Sequence, residues 1–299
     1  MVHRLLLDVS SLMYRAHFAW GQNYHSPGGR PVGALHGYLD MTTRLLVNRR
    51  PGELVHAYDH EWRPVARTDI YAGYKSNRPP DPEGLPEQFT MLRQVLDLVG
   101  MPQALTRGWE AEDTVAGLIK ESKARDRIEI VSGDRDLIQV VRDPKVKLLF
   151  TIKGVSELLE LDEAGVLEKY GVPASRYAEF AILRGDASDA LPGVRGVGEK
   201  TARELVNAYG SLGELLDDAD AKEPKPGPLR GKPALRARLR ESRDYVDAML
   251  RLVPVNADAP LDRWEGERDD ETLSQLAEEL GIKGPVTRLR AALDSIRSR

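Results

Sequence analysis

Ile128-Glu-Ile-Val-Ser-Gly-Asp-Arg-Asp136 sets the reading of this chain. Residues 128–131 form an apolar run of strand length, and isoleucine and valine suit a pleated, buried surface. Gly133 then permits a sharp turn, and Asp134 and Asp136 follow at once. The same pattern recurs outward from it. Residues 4–9 read as a buried strand ending at Asp8, with a Ser-Ser turn into a helix from about Leu12. Residues 54–58 form a strand ending at Asp59, and 146–150 a fourth apolar run. Helical patterns over 34–46, 88–99 and 113–123 lie between them. Strands alternating with helices give an α/β fold, a mostly parallel sheet flanked by helices. Ligand sites in such folds lie beyond the carboxyl ends of the strands. One strand ending in aspartate is unremarkable, because aspartate often opens a turn. Three of them set carboxylates along one edge.

After about residue 160 the pattern predicts helices joined by Gly/Pro turns and no further strand. Residues 185–200 are turn-rich, 221–233 form a Pro/Lys/Gly-rich loop, and amphipathic helices fall around 273–280 and 286–296. The expected organisation is an α/β core over 1–160, a helical region over 161–255 and C-terminal helices over 256–299.

There are no cysteines, which removes disulfides, thiolate zinc sites and cysteine nucleophiles together. The N-terminal apolar run, 5–7, is broken by Asp8 and is far too short for a secretion signal. No later stretch approaches a membrane span, so a soluble cytoplasmic protein without a membrane partner is expected. The net charge of −4 does not suggest a nucleic-acid binder. That average hides residues 222–243, with eight Lys or Arg against two Glu, and a second basic stretch holding Arg63, Arg67, Lys75 and Arg78. On charge alone these are solvated helix faces; beside an acidic, metal-filled pocket they would form a binding surface.

Nine carboxylates stand out: Asp8, Asp59, Glu110, Glu112, Asp113, Asp134, Asp136, Asp186 and Asp189. Each has an ordinary reading. Acidic residues favour the first turn of a helix, and Lys120, Lys123 and Arg125 at its far end suit the macrodipole. Asp136 would cap a helix starting at Leu137, and Asp186 and Asp189 would shape a turn. Gathered at one strand edge, however, they would raise one another's pKa values unless cations neutralised them. Hard cations with oxygen ligands, two or more Mg²⁺ or Mn²⁺, fit such a set; zinc would want His or Cys. His56 and His60 straddle a strand end and form no ligand pair. Two metals roughly 4 Å apart would activate a water and stabilise the leaving oxygen of a phosphodiester. That gives a chemistry shared by phosphatases, polymerases and nucleases.

Residues 193–202, with Gly193, Gly196, Gly198, Lys200 and Thr201, nearly match a Walker A loop. Glu199 separates Gly198 from Lys200-Thr201 and no strand precedes, so the match fails. A helix-hairpin-helix over 185–210 fits better, with a helix start offering free backbone N–H groups to a phosphate; a plain helix–turn–helix connection is the alternative. In Tyr71-Ala-Gly-Tyr74-Lys75-Ser-Asn-Arg78, one helical face would point Lys75 and Arg78 at a phosphate while Tyr71 and Tyr74 stack on bases. The alternative is a solvated helix ending at Pro79.

Taken in order, strand-Asp8, strand-Asp59, Tyr74-Lys75-Ser-Asn-Arg78, Gly108-Trp-Glu-Ala-Glu-Asp113, Ser132-Gly-Asp-Arg-Asp136, Gly185-Asp-Ala-Ser-Asp189 and 193–202 closely resemble the bacterial 5′→3′ exonuclease / flap endonuclease family. That family includes the 5′ nuclease domain of DNA polymerase I, and the resemblance spans about 4–255. It implies a resolvase-like (PIN-like) core with a helical arch over about 62–90. It implies a structure-specific 5′ nuclease of DNA replication and repair, acting on flaps, gaps and 5′ ends, RNA-primed ends included. Asp8, Asp59, Glu110 and Glu112 would surround one metal and Asp134, Asp136, Asp186 and Asp189 a second, with Asp113 near or between them. Lys75 and Arg78 would stabilise charge on the scissile phosphate, and Arg15 matches a family position near the substrate. The glycine hairpin would bind duplex backbone and hold K⁺ or Na⁺ on its carbonyls. Glu112 departs from the family's usual Asp, Trp109 from its Tyr, and His60-Glu61 is unusual after Asp59. No polymerase domain follows, which implies a free-standing monomer working beside a separate polymerase and ligase. Two other readings are a non-catalytic DNA junction binder, against which the full acid set argues, and a single-strand ribonuclease.

Overall fold

Leu5, Leu6 and Leu7 are all buried, although successive side chains of a strand point to opposite faces. Both faces of the sheet are covered. The computed structural model describes residues 1–20 and 24–297. Strand β1 (His3–Asp8) runs directly into α1 (Val9–Trp20), because Asp8 Oδ1 accepts the Ser11 backbone N–H at 3.0 Å and caps the helix. There follow α2 (Gly33–Arg49), β2 (Glu53–Tyr58), the single turn α3 (Val65–Thr68), α4 (Leu85–Val99), β3 (Pro102–Thr106), α5 (Ala111–Glu121), β4 (Arg127–Ser132), β5 (Val146–Lys153) and β6 (Glu157–Leu161). Helices α6 (Glu163–Tyr170), α7 (Tyr177–Arg184), α8 (Glu199–Ala208), α9 (Leu212–Asp220), α10 (Pro233–Glu241) and α11 (Arg243–Leu252) then build a helical half. The chain returns through β7 (Leu261–Glu265), α12 (Asp270–Glu279) and α13 (Lys283–Arg297).

The strand order is β6-β5-β4-β1-β2-β3-β7, parallel from β5 to β3 with an antiparallel strand at each edge. The chain moves outward from β1 through β2 to β3, then crosses back to lay β4 on the other side of β1. Direction therefore reverses between β1 and β4, where open α/β sheets form their ligand crevice. Leu6, Val55, Ile128, Ile130 and Leu148 belong to one apolar core and Leu5, Leu7, Leu54, Val131 and Leu149 to the other. Among the described residues no helix is long and apolar enough to cross a membrane.

Three expectations need correction. Strands do not stop near residue 160: β7 pairs antiparallel with β3 and closes the sheet edge. β7 is short, polar and only half-buried, and β3 carries a proline and a buried glutamine, so neither shows an apolar run. Gln103 is satisfied only in the fold, by Tyr58 Oη at 2.8 Å and Asp97 Oδ1 at 2.7 Å. The second correction concerns 62–90, which is turns rather than a helical arch beyond α3 and the start of α4. Lys75 has φ 52, incompatible with a right-handed helix and costing roughly 1–2 kcal/mol. Third, residues 136–140 form a 3-10 turn in which Asp136 is the first residue rather than a cap, and its backbone N–H donates to Asp134 Oδ1 at 2.8 Å.

The C-terminal helices are part of the core: α13 packs on α2, and α12 on α4. Leu289, fully buried on α13, tests this. Leu289→Ala is expected to lower the stability of the whole chain by about 2–5 kcal/mol in urea unfolding. An unchanged midpoint would mean that α13 unfolds separately.

Candidate active site

The reversal point between β1 and β4 carries the chemistry. Asp8 ends β1, and its Oδ2 accepts the Ser132 hydroxyl of β4 at 2.5 Å. Asp59 follows β2, taking the Ala111 N–H at 2.9 Å and the Ser10 hydroxyl. Glu110 and Asp113 form a reciprocal capping box at the start of α5. Helix capping thus aims Glu110 and Glu112 at the strand ends. Asp8, Asp59, Glu110, Glu112 and Asp134 line one cleft of about 240 Å³ with Lys75, Arg78 and Trp62. One carboxylate oxygen each from Asp59, Glu110 and Glu112 lie within 4.8 Å of one another.

So many acids in one place perturb each other. Burial, then the charge of Asp59, pushes Asp8 up to about 8. Burial, then Glu112, pushes Glu110 up to about 8 and Asp134 to about 6. Asp136 is raised well above the usual range by burial, Asp134 and Asp189. Glu112 goes the other way: burial raises it, but Arg67 and Lys75 together hold it below the ordinary value.

The neutralising side chains come from 62–84. Arg67 is buried, with Nη1 on Glu112 at 2.9 Å and on Glu110, and Nη2 on Asp113 at 2.9 Å. Its guanidinium also faces the Trp109 ring, 5.6 Å from the centroid. Lys75 Nζ pairs with Glu110, and its backbone N–H donates to the Asp189 carbonyl at 2.9 Å. Arg78 Nη2 meets Asp189 Oδ1 at 2.8 Å, and Asn77 donates to the Ala187 carbonyl at 2.8 Å. The segment is closed onto the cluster.

Some expected residues lie elsewhere. Asp113 is buried and does not line the cleft; it is bonded to Arg67, which it shares with Glu110 and Glu112, to the Asn256 N–H at 2.7 Å and to the Glu110 N–H at 3.1 Å. Asp186 turns to Arg135 and Arg184 because it caps the short turn 187–189. Tyr74 is buried with its hydroxyl on Glu110 at 2.7 Å, and Tyr71 is half-buried, so Tyr74 offers no open ring face. Arg15 is half-buried and lies against Gly133, with Nη1 3.4 Å from the Ile152 carbonyl. His56 is buried against the Tyr38 hydroxyl at 2.6 Å and pushed down to about 3 by burial. Sequence reasoning missed Arg67, Ser10, Ser132 and Trp62; only their nearness in sequence to the acids and to Lys75 hinted at them.

The hairpin between α7 and α8 is present. Gly193 has φ 70 and its backbone packs directly against Gly185, where a β-carbon would collide. Gly198 precedes α8 without a side-chain cap and has open space above it, and Lys200 is exposed.

The donor set is all oxygen and its excess negative charge is only partly matched by Arg67, Lys75 and Arg78, which fits hard divalent cations. An acidic cluster at the reversal point of a largely parallel sheet defines an α/β core built to hold divalent cations beside a phosphate ester. Residues 3–171 match the 5′-3′ exonuclease N-terminal resolvase-like domain, and 172–272 the 5′-3′ exonuclease C-terminal SAM fold. The chain is 38% identical to a 5′-3′ exonuclease of Streptomyces coelicolor, over 97% of this chain and 99% of that one. It is 39% identical to DNA polymerase I of Mycobacterium bovis over 81% of this chain and 27% of that protein. In fold it is similar to the T5 D15 protein co-crystallized with metal ions (TM-score 0.68, 19% identity, covering 98% and 99% of the two chains) and to flap endonuclease-1 from Methanococcus jannaschii (0.64, 16%, 98% and 93%). The chain belongs to the 5′-3′ exonuclease family and is a nuclease.

Two predictions follow from the charges. Asp8, Glu110 and Asp134 have raised pKa values, so the folded metal-free chain binds more protons than the unfolded one between about 4 and 8. Their contribution to stability is complete below the unfolded values and is lost as pH rises through the folded ones. The Tm of metal-free protein is therefore expected to fall from pH 5.5 to 8.5, and Mg²⁺ to raise Tm more at 8.5; equal Tm values with equal Mg²⁺ effects would refute this. Arg67→Met strips the buried carboxylates of their partner and is expected to cost about 3–5 kcal/mol without metal. A loss under about 1 kcal/mol in urea unfolding, the range of exposed pairs, would reduce Arg67 to a bystander.

Proposed function

We propose that this chain is a structure-specific 5′ nuclease that cuts DNA near 5′ flaps, gaps and 5′ ends, RNA-primed ends included. The observation that carries this reading is the convergence of Asp8, Asp59, Glu110, Glu112 and Asp134 in one cleft that Lys75 and Arg78 also line. Asp8, Asp59, Glu110 and Glu112 would hold one Mg²⁺ or Mn²⁺, and Asp134, Asp136 and Asp189 a second, joined by Asp186 if it turns from its arginines. When bound, such metals supply an activated water and stabilise the leaving oxygen. Lys75 leaves Glu110 for the scissile phosphate, and Arg78 and Arg15 add positive charge beside it. Trp62, half exposed at the cleft, stacks on an unpaired base in place of Tyr74, with Tyr71 nearby.

The core, 1–160, carries the reaction together with Asp186 and Asp189, and 161–255 grips the duplex through Gly193, Gly196, Gly198, Lys200 and Thr201. Backbone contacts there are indifferent to sequence, and hairpin carbonyls hold K⁺ or Na⁺. Residues 256–299 brace the sheet. The chain works as a cytoplasmic monomer beside a separate polymerase and ligase.

A 5′-labelled flap duplex with Mg²⁺, Mn²⁺ or EDTA tests this. Metal-dependent cleavage near the branch is expected, with much less on the same strand unpaired. Asp136→Asn should lower cleavage at least about 100-fold, the scale of a lost transition-state contact, while flap binding persists. Tight flap binding without cleavage in either metal would make the chain a junction-binding protein, and equal cleavage of the unpaired strand would favour a single-strand nuclease.

A further inference from the structure

Asp186 and Asp189 lie three residues apart yet meet different neighbours. Asp189 faces Arg78 and Lys75. Asp186 Oδ2 lies 3.3 Å from Arg135 Nη2 and 3.6 Å from Arg184 Nη2. With Asn77, Leu191 and Pro192, these two arginines line a separate concavity of about 690 Å³. Two cations there face one carboxylate, which engages a single nitrogen of each. Arg184 is held in place before any ligand arrives: Nε donates to the Gly185 carbonyl at 3.2 Å, and the guanidinium lies 5.0 Å from the centroid of the Phe180 ring. A guanidinium presents a planar fork of donors that matches a phosphate.

The position of the concavity narrows the ligand. Arg135 stands between Asp134 and Asp136, Asn77 belongs to the segment closed over the cleft, and 190–192 lead into the glycine hairpin. A phosphate held here would lie between the reacting cluster and the duplex grip. We propose that Arg135 and Arg184 form a subsite for one backbone phosphate of the bound strand, distinct from the scissile one. This rests on the nuclease reading above. The contact fixes register without reading sequence.

The test is flap-duplex binding over a range of salt, without cleavage, for the full chain and its Arg184→Met, Arg184→Lys and Arg135→Met variants. Each phosphate contact contributes about 0.9 to the slope of log K against log salt on duplex DNA. Arg184→Met keeps the packing on Phe180 and removes the charge. Because both arginines hold the same phosphate, the loss of about 0.9 in slope is shared between them, so each Met variant is expected to be shallower than wild type and the double variant by the full amount. Arg184→Lys should keep most of the wild-type slope. A purely structural role would lower Tm without moving the slope. Neutralising the strand one phosphate at a time with methylphosphonate should weaken wild-type binding at one position outside the scissile one, and weaken Arg184→Met less at that same position. Wild-type slopes in both Met variants would overturn the subsite. So would inorganic phosphate binding that depends on Arg184 while the DNA slope does not, since the site would then serve a free anion. Wild-type cleavage of the same flap separates the two failures: an inactive wild type refutes the nuclease reading, whereas an active one with unchanged slopes refutes this subsite alone.

Discussion

Crowding of carboxylates at one strand edge is the constraint on which the rest of the structure depends. Like charges in a partly buried cleft repel, and burial penalises each charge again. The molecule answers with protons and with its own cations. Asp8 and Glu110 are pushed up to about 8, while Arg67 and Lys75 lie buried against Glu110 and Glu112. That arrangement explains the shape of 62–84. Arg67 and Lys75 are eight residues apart, and both must reach the same acids. A straight helix would not deliver them together with Lys75 bonded to the Asp189 carbonyl. The chain therefore turns, and Lys75 accepts a left-handed backbone.

Topology determines where the crowding happens. A parallel sheet reversing between β1 and β4 leaves the ends of both strands free of crossing connections. Asp8 and the loop after Ser132 meet there, linked by the Ser132 hydroxyl. The helix starts complete the site. Asp8 caps α1, and the Glu110–Asp113 box caps α5, so the same carboxylates that shape local structure also face the cleft. The structural and chemical explanations of these acids, alternatives when each is taken alone, are both true of Asp8 and Glu110. For Asp113 the structural one holds, because Arg67 and the Asn256 N–H use its outer oxygen. Glu112 gains a reason for its length: its carboxylate reaches Arg67 as well as Asp59 and Glu110.

The helical half serves the site at two points. Asp189 reaches into the cluster, while Gly193 and Gly185 let two backbone segments touch, and α8 starts without a side-chain cap and with open space at Gly198. Free N–H groups at a helix start favour anions. Arg135 and Arg184 extend the same basic path.

The sequence by itself determined the parallel core, because β1, β2, β4 and β5 are apolar runs at strand spacing with helical periods between them. It also marked the acids that end β1, follow β2 and β4 or open α5, and it located the glycine hairpin. It could not show β3, which lies inside the sheet but carries Pro102 and Gln103, nor β6 and β7, half-polar edge strands that form only when the neighbouring ladder supplies their hydrogen bonds. Nor could it show which carboxylates share a cleft. Asp186 and Asp189 look alike along the chain, and only the turn between them sends one to Arg135 and Arg184 and the other to Lys75 and Arg78. Arg67 was one positive charge among several in a basic stretch. Its burial among three acids depends on α3 folding back over α5, a long-range contact that local pattern does not encode.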